Sequence, residues 1–291
     1  RSGEADVAHV PPHCIAEYQE DPDYETVYGY NPGSGLDWVF NTERYPLDDV
    51  RLRQAILHAV DREAINEALY NGTYLIVRGP VNSRSPCYWD GVEDMYPYDP
   101  ERARDLLEEA GWVDTDEDGI REKDEERLVL SWGALHHVEI GEMLQAQLRE
   151  VGIDLVIEFM SGAVELSQAT TGEFDLLYYR QRGLTSRVMY MQWHSSQWPG
   201  RVGGEAMGWA WSRWSSPRLD ELLEEASTEL DREARCEYLY EAQQIVMENA
   251  LKLPMLAQAT HWVYNTDVEG FRMGPAGWIY YPYTLAIEES P

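Results

Sequence analysis

The run YPLDDVRLRQAILHAVDREAI, from Tyr45 to Ile65, decides the fold. It reads as two short helices in series, each with its own start signal. Asp48 or Asp49 can cap the first, accepting a hydrogen bond from N–H groups that a helix leaves unpaired at its start. Val50, Ile56, Ala59 and Val60 then recur at helical spacing, with Arg51, Arg53 and Gln54 elsewhere around the wheel. Asp61 caps the second helix, and Glu63 adds negative charge to its first turn, where the helix dipole favours it.

Outward from this run the chain alternates between helix and strand signals. LDWVFN (Leu36 to Asn41) reads as a strand, and helices follow over 48–59 and 62–70. A long loop then runs from Asn71 to Pro97. Asp99 and Pro100 open another helix in the favoured cap and first-turn positions, and Gly111 ends it. LVLSWGAL (Leu128 to Leu135) is a strand; Ile140, Met143, Leu144, Gln147, Leu148 and Val151 form a helical stripe closed by Gly152; IDLVIEF follows as a strand. A short helix over 163–170 leads to the strand FDLLYYR. Ser216 and Pro217 start a helix with Leu219, Leu222, Leu223 and Ala226 on one face, Asp231 caps a longer one, and LKLPMLAQATHWVYN is extended. The pattern predicts an α/β fold with a mixed sheet flanked by helices.

Seven ordered stretches between about residues 38 and 271 carry a family resemblance. They are the opening run, NGTYLIVRGPVNSRSP (Asn71 to Pro86), YDPERARDLLEEAGWVDTDEDGIRE (Tyr98 to Glu122), LQAQLREVGIDLVIE (Leu144 to Glu158), TGEFDLLYY (Thr171 to Tyr179), WSSPRLDELLEEA (Trp214 to Ala226) and YEAQQIVMENALKLPML (Tyr240 to Leu256). Together they resemble the family 5 extracellular solute-binding proteins, the receptors that feed ABC importers. The resemblance implies a type II periplasmic-binding-protein-like lobe whose hinge strands lead to a second lobe largely absent from this chain. Residues 1–41 would be a remnant of lobe 1 with the first hinge strand, 42–258 lobe 2, and 259–291 the return to lobe 1. It further implies a protein without enzymatic activity that captures a peptide or related small organic molecule in the inter-lobe cleft. Such a receptor works as a monomer with ABC permease subunits, in an extracellular, periplasmic or cell-surface-anchored location. Family members are longer and carry a signal sequence, so the chain is expected to be a carboxy-terminal portion.

Composition narrows the partners. With 53 acidic against 23 basic residues, the formal net charge of −30 repels nucleic acid and anionic membrane surfaces. Only Lys123 and Lys252 are lysines, so the other 21 basic residues are arginine. Apolar residues, 44% of the chain, suffice for a sizeable core, and no apolar run approaches the roughly 20 residues needed to span a bilayer. Of three cysteines, Cys236 fits a helical pattern as a small buried residue. Cys14 and Cys87, both in Pro-containing loops, can pair in an oxidising compartment.

Two features carry candidate chemistry. In DTDEDGIREKDE, the residues Asp114, Asp116, Asp118, Gly119 and Glu125 match D-x-D-x-D-G-x5-E, with Ile120 placed to offer a backbone carbonyl. Alternating carboxylates around a sharp turn suit a structural calcium ion; a solvated acidic turn is the other reading. No cofactor is required beyond that. The second feature is aromatic density after FDLLYY, where Tyr178, Tyr179, Tyr190, Trp193, Trp198, Trp209, Trp211 and Trp214 fall close together. Arg180, Arg182 and Arg187 cluster there too, able either to grip a ligand carboxylate or to bridge internal acids. Arg180, Gln181, Arg182, Trp193 and Trp209 are the expected ligand contacts. Peptide-binding members often carry an Asp just after this strand to meet a peptide's amino terminus. This chain has RQRGLTSR there, which favours an anionic solute or a sugar.

Catalytic signatures are weak. His136, His137 and Glu139 form HHVE rather than the HExxH of zinc enzymes, and read as surface residues. A secreted hydrolase acting on carbohydrate or peptide is the alternative expectation. Asn71-Gly72-Thr73 fits both an N-glycosylation acceptor and a turn.

Overall fold

The structure, a computed structural model, describes residues 5–30, 33, 35–134, 136–179, 183, 185–199, 208–274, 281–282 and 285–287. The elements in chain order are β1 (Val7–Val10), α1 (Ile15–Gln19), β2 (Tyr24–Tyr30), β3 (Leu36–Phe40), α2 (Val50–Ala59), α3 (Arg62–Tyr70), β4 (Leu75–Ile76), α4 (Pro100–Glu109), β5 (Glu122–Lys123), β6 (Glu126–Arg127), β7 (Val129–Ala134), α5 (Val138–Glu150) and β8 (Asp154–Phe159). There follow α6 (Gly162–Thr171), β9 (Leu176–Tyr179), α7 (Thr185–Trp193), α8 (Pro217–Thr228), α9 (Arg232–Glu248), β10 (Lys252–Ala257), β11 (Ala259–Asn265), β12 (Val268–Glu269) and β13 (Ala286–Ile287).

The opening run folds as its caps dictate. The Asp49 carboxylate accepts from the Arg51 amide, and that of Asp61 from the Ala64 amide, starting α2 and α3. Arg53 is the surprise of this stretch. The wheel assigned it a polar position, yet it is 3% exposed. Its guanidinium donates to the carbonyls of Asn249 and Ala250, just beyond α9, and to Leu47. Burial lowers its pKa to about 10. Arg62, also buried, donates through Nε to the Pro254 carbonyl at 2.6 Å. The run therefore closes the fold by supplying donors to carbonyls that α9 and β10 leave unpaired.

Two sheets organise the rest. The larger has strand order β4-β10-β3-β9-β7-β8, with β7 parallel to both β8 and β9, and β3 antiparallel to β9 and β10. The smaller, β1-β11-β2, draws its strands from both ends of the chain. The chain passes between the sheets twice, between Tyr30 and Leu36 and at Gln258. Trp38, Phe40, Trp132, Leu130 and Leu253 anchor the main core under α2, α3, α5 and α9. Gly141 in α5 makes room there, since a Cβ would lie 1.2 Å from the Trp132 ring. Val39, Leu177, Tyr179 and Trp211 form a second cluster on the opposite face.

A buried ion pair sits where β3 and β10 meet. Pro254 lacks an N–H, and the β10 register shifts between Leu253 and Leu256. Asp37, fully buried, fills the break: its carboxylate accepts from the Gly35 and Met255 amides and from Lys252 Nζ at 2.5 Å. Lys252, one of only two lysines, is 1% exposed. Burial pushes the Asp37 carboxyl up and the Lys252 ammonium down, while their mutual attraction resists both shifts.

The cysteines correct the expectation for Cys14 and Cys87. Cys87 is bonded to Cys236, 149 residues away, and Cys14 is a half-buried free thiol. The 71–97 loop lies over α9, held by Gln243, which donates to the Cys87 carbonyl at 2.8 Å and accepts from the Trp89 amide. Cys14 packs instead beside the small sheet, with Val10, Ile15 and Val263. Asn71 serves as a left-handed helix end closing α3.

Candidate functional site

In parallel α/β sheets, ligands bind beyond the carboxyl ends of the strands. Here β7, β8 and β9 end on one side, β10 runs the same way, and beyond it lies the small sheet. That end carries a band of aromatic and titratable side chains. Tyr178, half-buried near the end of β9, lies 5.5 Å from the His137 ring and 6.3 Å from that of His136. His137 Nδ1 is 3.6 Å from Glu139 Oε1, which also accepts the Tyr70 hydroxyl at 3.3 Å. Tyr70 stacks on Tyr74 at 3.9 Å, and Tyr74 faces the His261 ring, which meets Tyr28 edge-on at 5.0 Å. The band thus runs from the large sheet onto the small one.

Its electrostatics follow from burial. Burial, with help from Glu139, pushes the Tyr70 hydroxyl well above its usual range, so it stays a hydrogen-bond donor. His261 is 1% exposed, and burial lowers its pKa to about 4, so its ring is neutral at pH 7. His137 caps α5 in a left-handed conformation (φ 60°) without a side-chain cap bond. Such a backbone costs on the order of 1–3 kcal/mol and holds the ring toward the strand ends. Tyr70, Tyr74 and His261 are themselves buried and support the band from beneath, so what it can offer a solute is the half-buried Tyr178 and His137 with the exposed His136 and Glu139.

The expected contacts fare differently. Trp193 is 2% exposed and belongs to the main core, so its role is packing; that corrects its assignment as a ligand contact. Trp209, half-buried, stacks on Trp211 at 5.7 Å. Trp193 and Trp209 do share a cavity with Val39, Tyr179, Gln192 and Lys252, but at about 10 Å³ it has room for about one water. Arg180, Gln181 and Arg182 lie outside the described residues. His136 is exposed and His137 half-buried, in keeping with their reading as surface residues, and they join Tyr70, Tyr74 and His261, which were not singled out, in the band. The available signal was HHVE placed directly between a strand end and a helix start.

The acidic loop is partly as expected. Asp114, Asp116, Asp118 and Glu122 bring carboxylate oxygens within 4.8 Å of one another. Glu125 does not join them, which corrects that ligand: it forms the turn of the β5–β6 hairpin with a left-handed backbone, and Glu122 takes its place. Ile120 is fully buried and donates its amide to Asp118. Asp114 Oδ1 and Glu122 Oε1 are buried without a hydrogen-bond partner, so the donor set fits a hard cation. Arg127 Nη1, 2.5 Å from Asp118, supplies positive charge there and holds that carboxyl below its usual range.

One further cluster resembles a catalytic relay. His194 Nδ1 meets Ser196 Oγ at 2.7 Å and its Nε2 meets Glu224 at 3.3 Å. The ring also accepts the Ser196 amide, so it is the cap of the short turn Ser195–Gln197.

Comparison with known proteins places the fold in a family. Residues 1–199 match the model of the bacterial extracellular solute-binding proteins, family 5 middle region. The chain belongs to this family. A heme-binding protein A from Haemophilus influenzae is 28% identical over 91% of this chain and 46% of its own length. A probable di/tripeptide-binding protein 5 from Pseudomonas aeruginosa is 29% identical over 82% of this chain and 43% of its own. Among solved structures, NikA from Brucella suis in complex with Fe(III)-EDTA superposes with a TM-score of 0.83 at 22% identity, over 99% of this chain and 58% of that one. The chain spans about half the length of the curated relatives it matches. These family members are binding proteins. Among the described residues, no helix is long and apolar enough to cross a membrane.

Proposed function

We propose that this family 5 chain serves a solute receptor that delivers its cargo to an ABC permease, acting outside the cytoplasm and performing no chemistry on the solute. The observation that carries the reading is the Tyr178–His137–Glu139–Tyr70 band at the carboxyl end of the parallel strands. The cargo is a small organic molecule with an apolar body and polar groups, as a peptide is; relatives named for haem and for di- or tripeptides support that class. Residues 42–258 form the lobe that carries the site, with 1–41 and 259–291 belonging to a second lobe that closes over it. Arg180, Gln181 and Arg182, directly after Tyr179, extend the contact set, with Trp209 at its border. Calcium at Asp114, Asp116, Asp118 and Glu122 would be structural only.

The Cys87–Cys236 bond supports the location, because such bonds persist in oxidising compartments. The test is a thermal-shift screen of the purified protein against dipeptides, haem and metal chelates, with solute recovery checked by mass spectrometry. A saturable rise in melting temperature with the solute recovered intact supports the receptor reading. Consumption of the solute would replace it with the hydrolase.

A further inference from the structure

A second cavity opens between the start of α7, the start of α9 and the 86–87 segment, with a volume of about 360 Å³. It lies at the same end of the large sheet as the Tyr178 band. The α9 helix must finish at the amino end of β10, so its 17 residues, about 25 Å of helix, carry its first turn back to the carboxyl end. There α7 begins, shortly after β9. Arg232, Arg235 and Leu239, at helical spacing on one face of α9, look across at Thr185 and Ser186. Cys87 closes the wall through its bond to Cys236, the residue after Arg235.

Charge makes this cavity unusual for the chain. Elsewhere several arginines face carboxylates, as Arg78, Arg102, Arg127 and Arg218 do, while Arg53, Arg62 and Arg104 donate to backbone carbonyls. No residue lining this cavity is acidic, and among the described residues Arg232 and Arg235 make no ion pair. Arg235 donates one N–H to the Glu229 carbonyl, leaving the rest of its fork free. Thr185 spends its hydroxyl proton on the Pro86 carbonyl, while Ser186 keeps its own. Two guanidiniums and a hydroxyl therefore surround a space with no acidic side chain in its lining. We infer that this cavity binds a compact oxyanion, a carboxylate or phosphate group, held by Arg232, Arg235 and Ser186. The inference deepens the proposed function by giving the solute an acid group at this second anchor point, but the anion site itself can be tested without knowing the solute.

The test titrates the purified protein with sodium succinate and, separately, with inorganic phosphate, at constant ionic strength set by sodium chloride. Melting temperature and calorimetric heat are the readouts. A saturable stabilisation is expected, weakened about tenfold in Arg232→Gln or Arg235→Gln and lost in the double variant. Ser186→Ala, which leaves the charge unchanged, should weaken it less. Succinate acting alone assigns the site to carboxylates, phosphate alone to phosphoryl groups, and both to oxyanions in general. A shift that does not saturate, or that persists unchanged in a double variant whose melting temperature in chloride matches the wild type, would overturn the site. Because no transport solute enters the titration, failure here leaves the receptor reading standing, and failure of the solute screen leaves this site standing.

Discussion

Tyr178 and Tyr179 are neighbours in one strand with opposite fates. Tyr178 pairs with Trp38 and turns its ring to His136 and His137 at the open end of the sheet. Tyr179 pairs with Asp37 and is sealed under Trp211, 4.9 Å away and edge-on. The period of two along a strand separates them by one residue and by a whole layer. Aromatic density alone therefore does not mark a binding site. What distinguishes the Tyr178 side is the company of imidazoles and a carboxylate, where the Tyr179 side has indoles and the buried Asp37–Lys252 pair.

The contrast predicts that substitutions on the sealed side cost stability and those on the open side cost binding. Trp193→Ala should lose roughly 3–5 kcal/mol as a large core deletion. Lys252→Ala should lose a similar amount, about 3–5 kcal/mol, because it strands the Asp37 carboxylate. Chemical denaturation measures both, and a loss below about 1 kcal/mol for either would blur the two sides. The band's end on the small sheet adds a pH effect. The His261 pKa is lowered to about 4 against the usual 6.5, so the unfolded chain binds the proton more readily between those values. Stability should fall as pH drops from 6.5 to 4, by up to about 3 kcal/mol. His261→Phe should flatten that part of the curve, whereas an unchanged pH profile would contradict a buried neutral ring. On the open side, Tyr178→Ala and His137→Ala should weaken solute binding about tenfold or more, roughly 1.4 kcal/mol, with little change in melting temperature. Smallest is the acidic loop. Calcium should raise the melting temperature slightly, and Asp116→Ala should abolish that rise; a response retained by the variant would remove the ion from the account.

Much of this was legible because caps and periods are local. Asp49, Asp61, Asp99 and Asp231 start their helices where the residues say, and Leu219, Leu222, Leu223 and Ala226 are buried together. The family resemblance stands as well. What could not be read was set by distant partners. Cys87 meets a cysteine 149 residues on, and Arg53 is buried only because α9 ends beside it. Glu125 matched a ligand spacing, but the β5–β6 hairpin turns it away and brings Glu122 in. The aromatic band was not legible as a unit for the same reason: Tyr70, His137, Tyr178 and His261 come together only once both sheets are in place.

The account turns on where the solute sits and what becomes of it, which native mass spectrometry of the purified protein with the solute found by thermal shift reads directly. It predicts an unmodified small molecule bound to the wild type and largely lost from Tyr178→Ala and His137→Ala that are otherwise folded. A solute retained in full by both variants, or released as a reaction product, would contradict it.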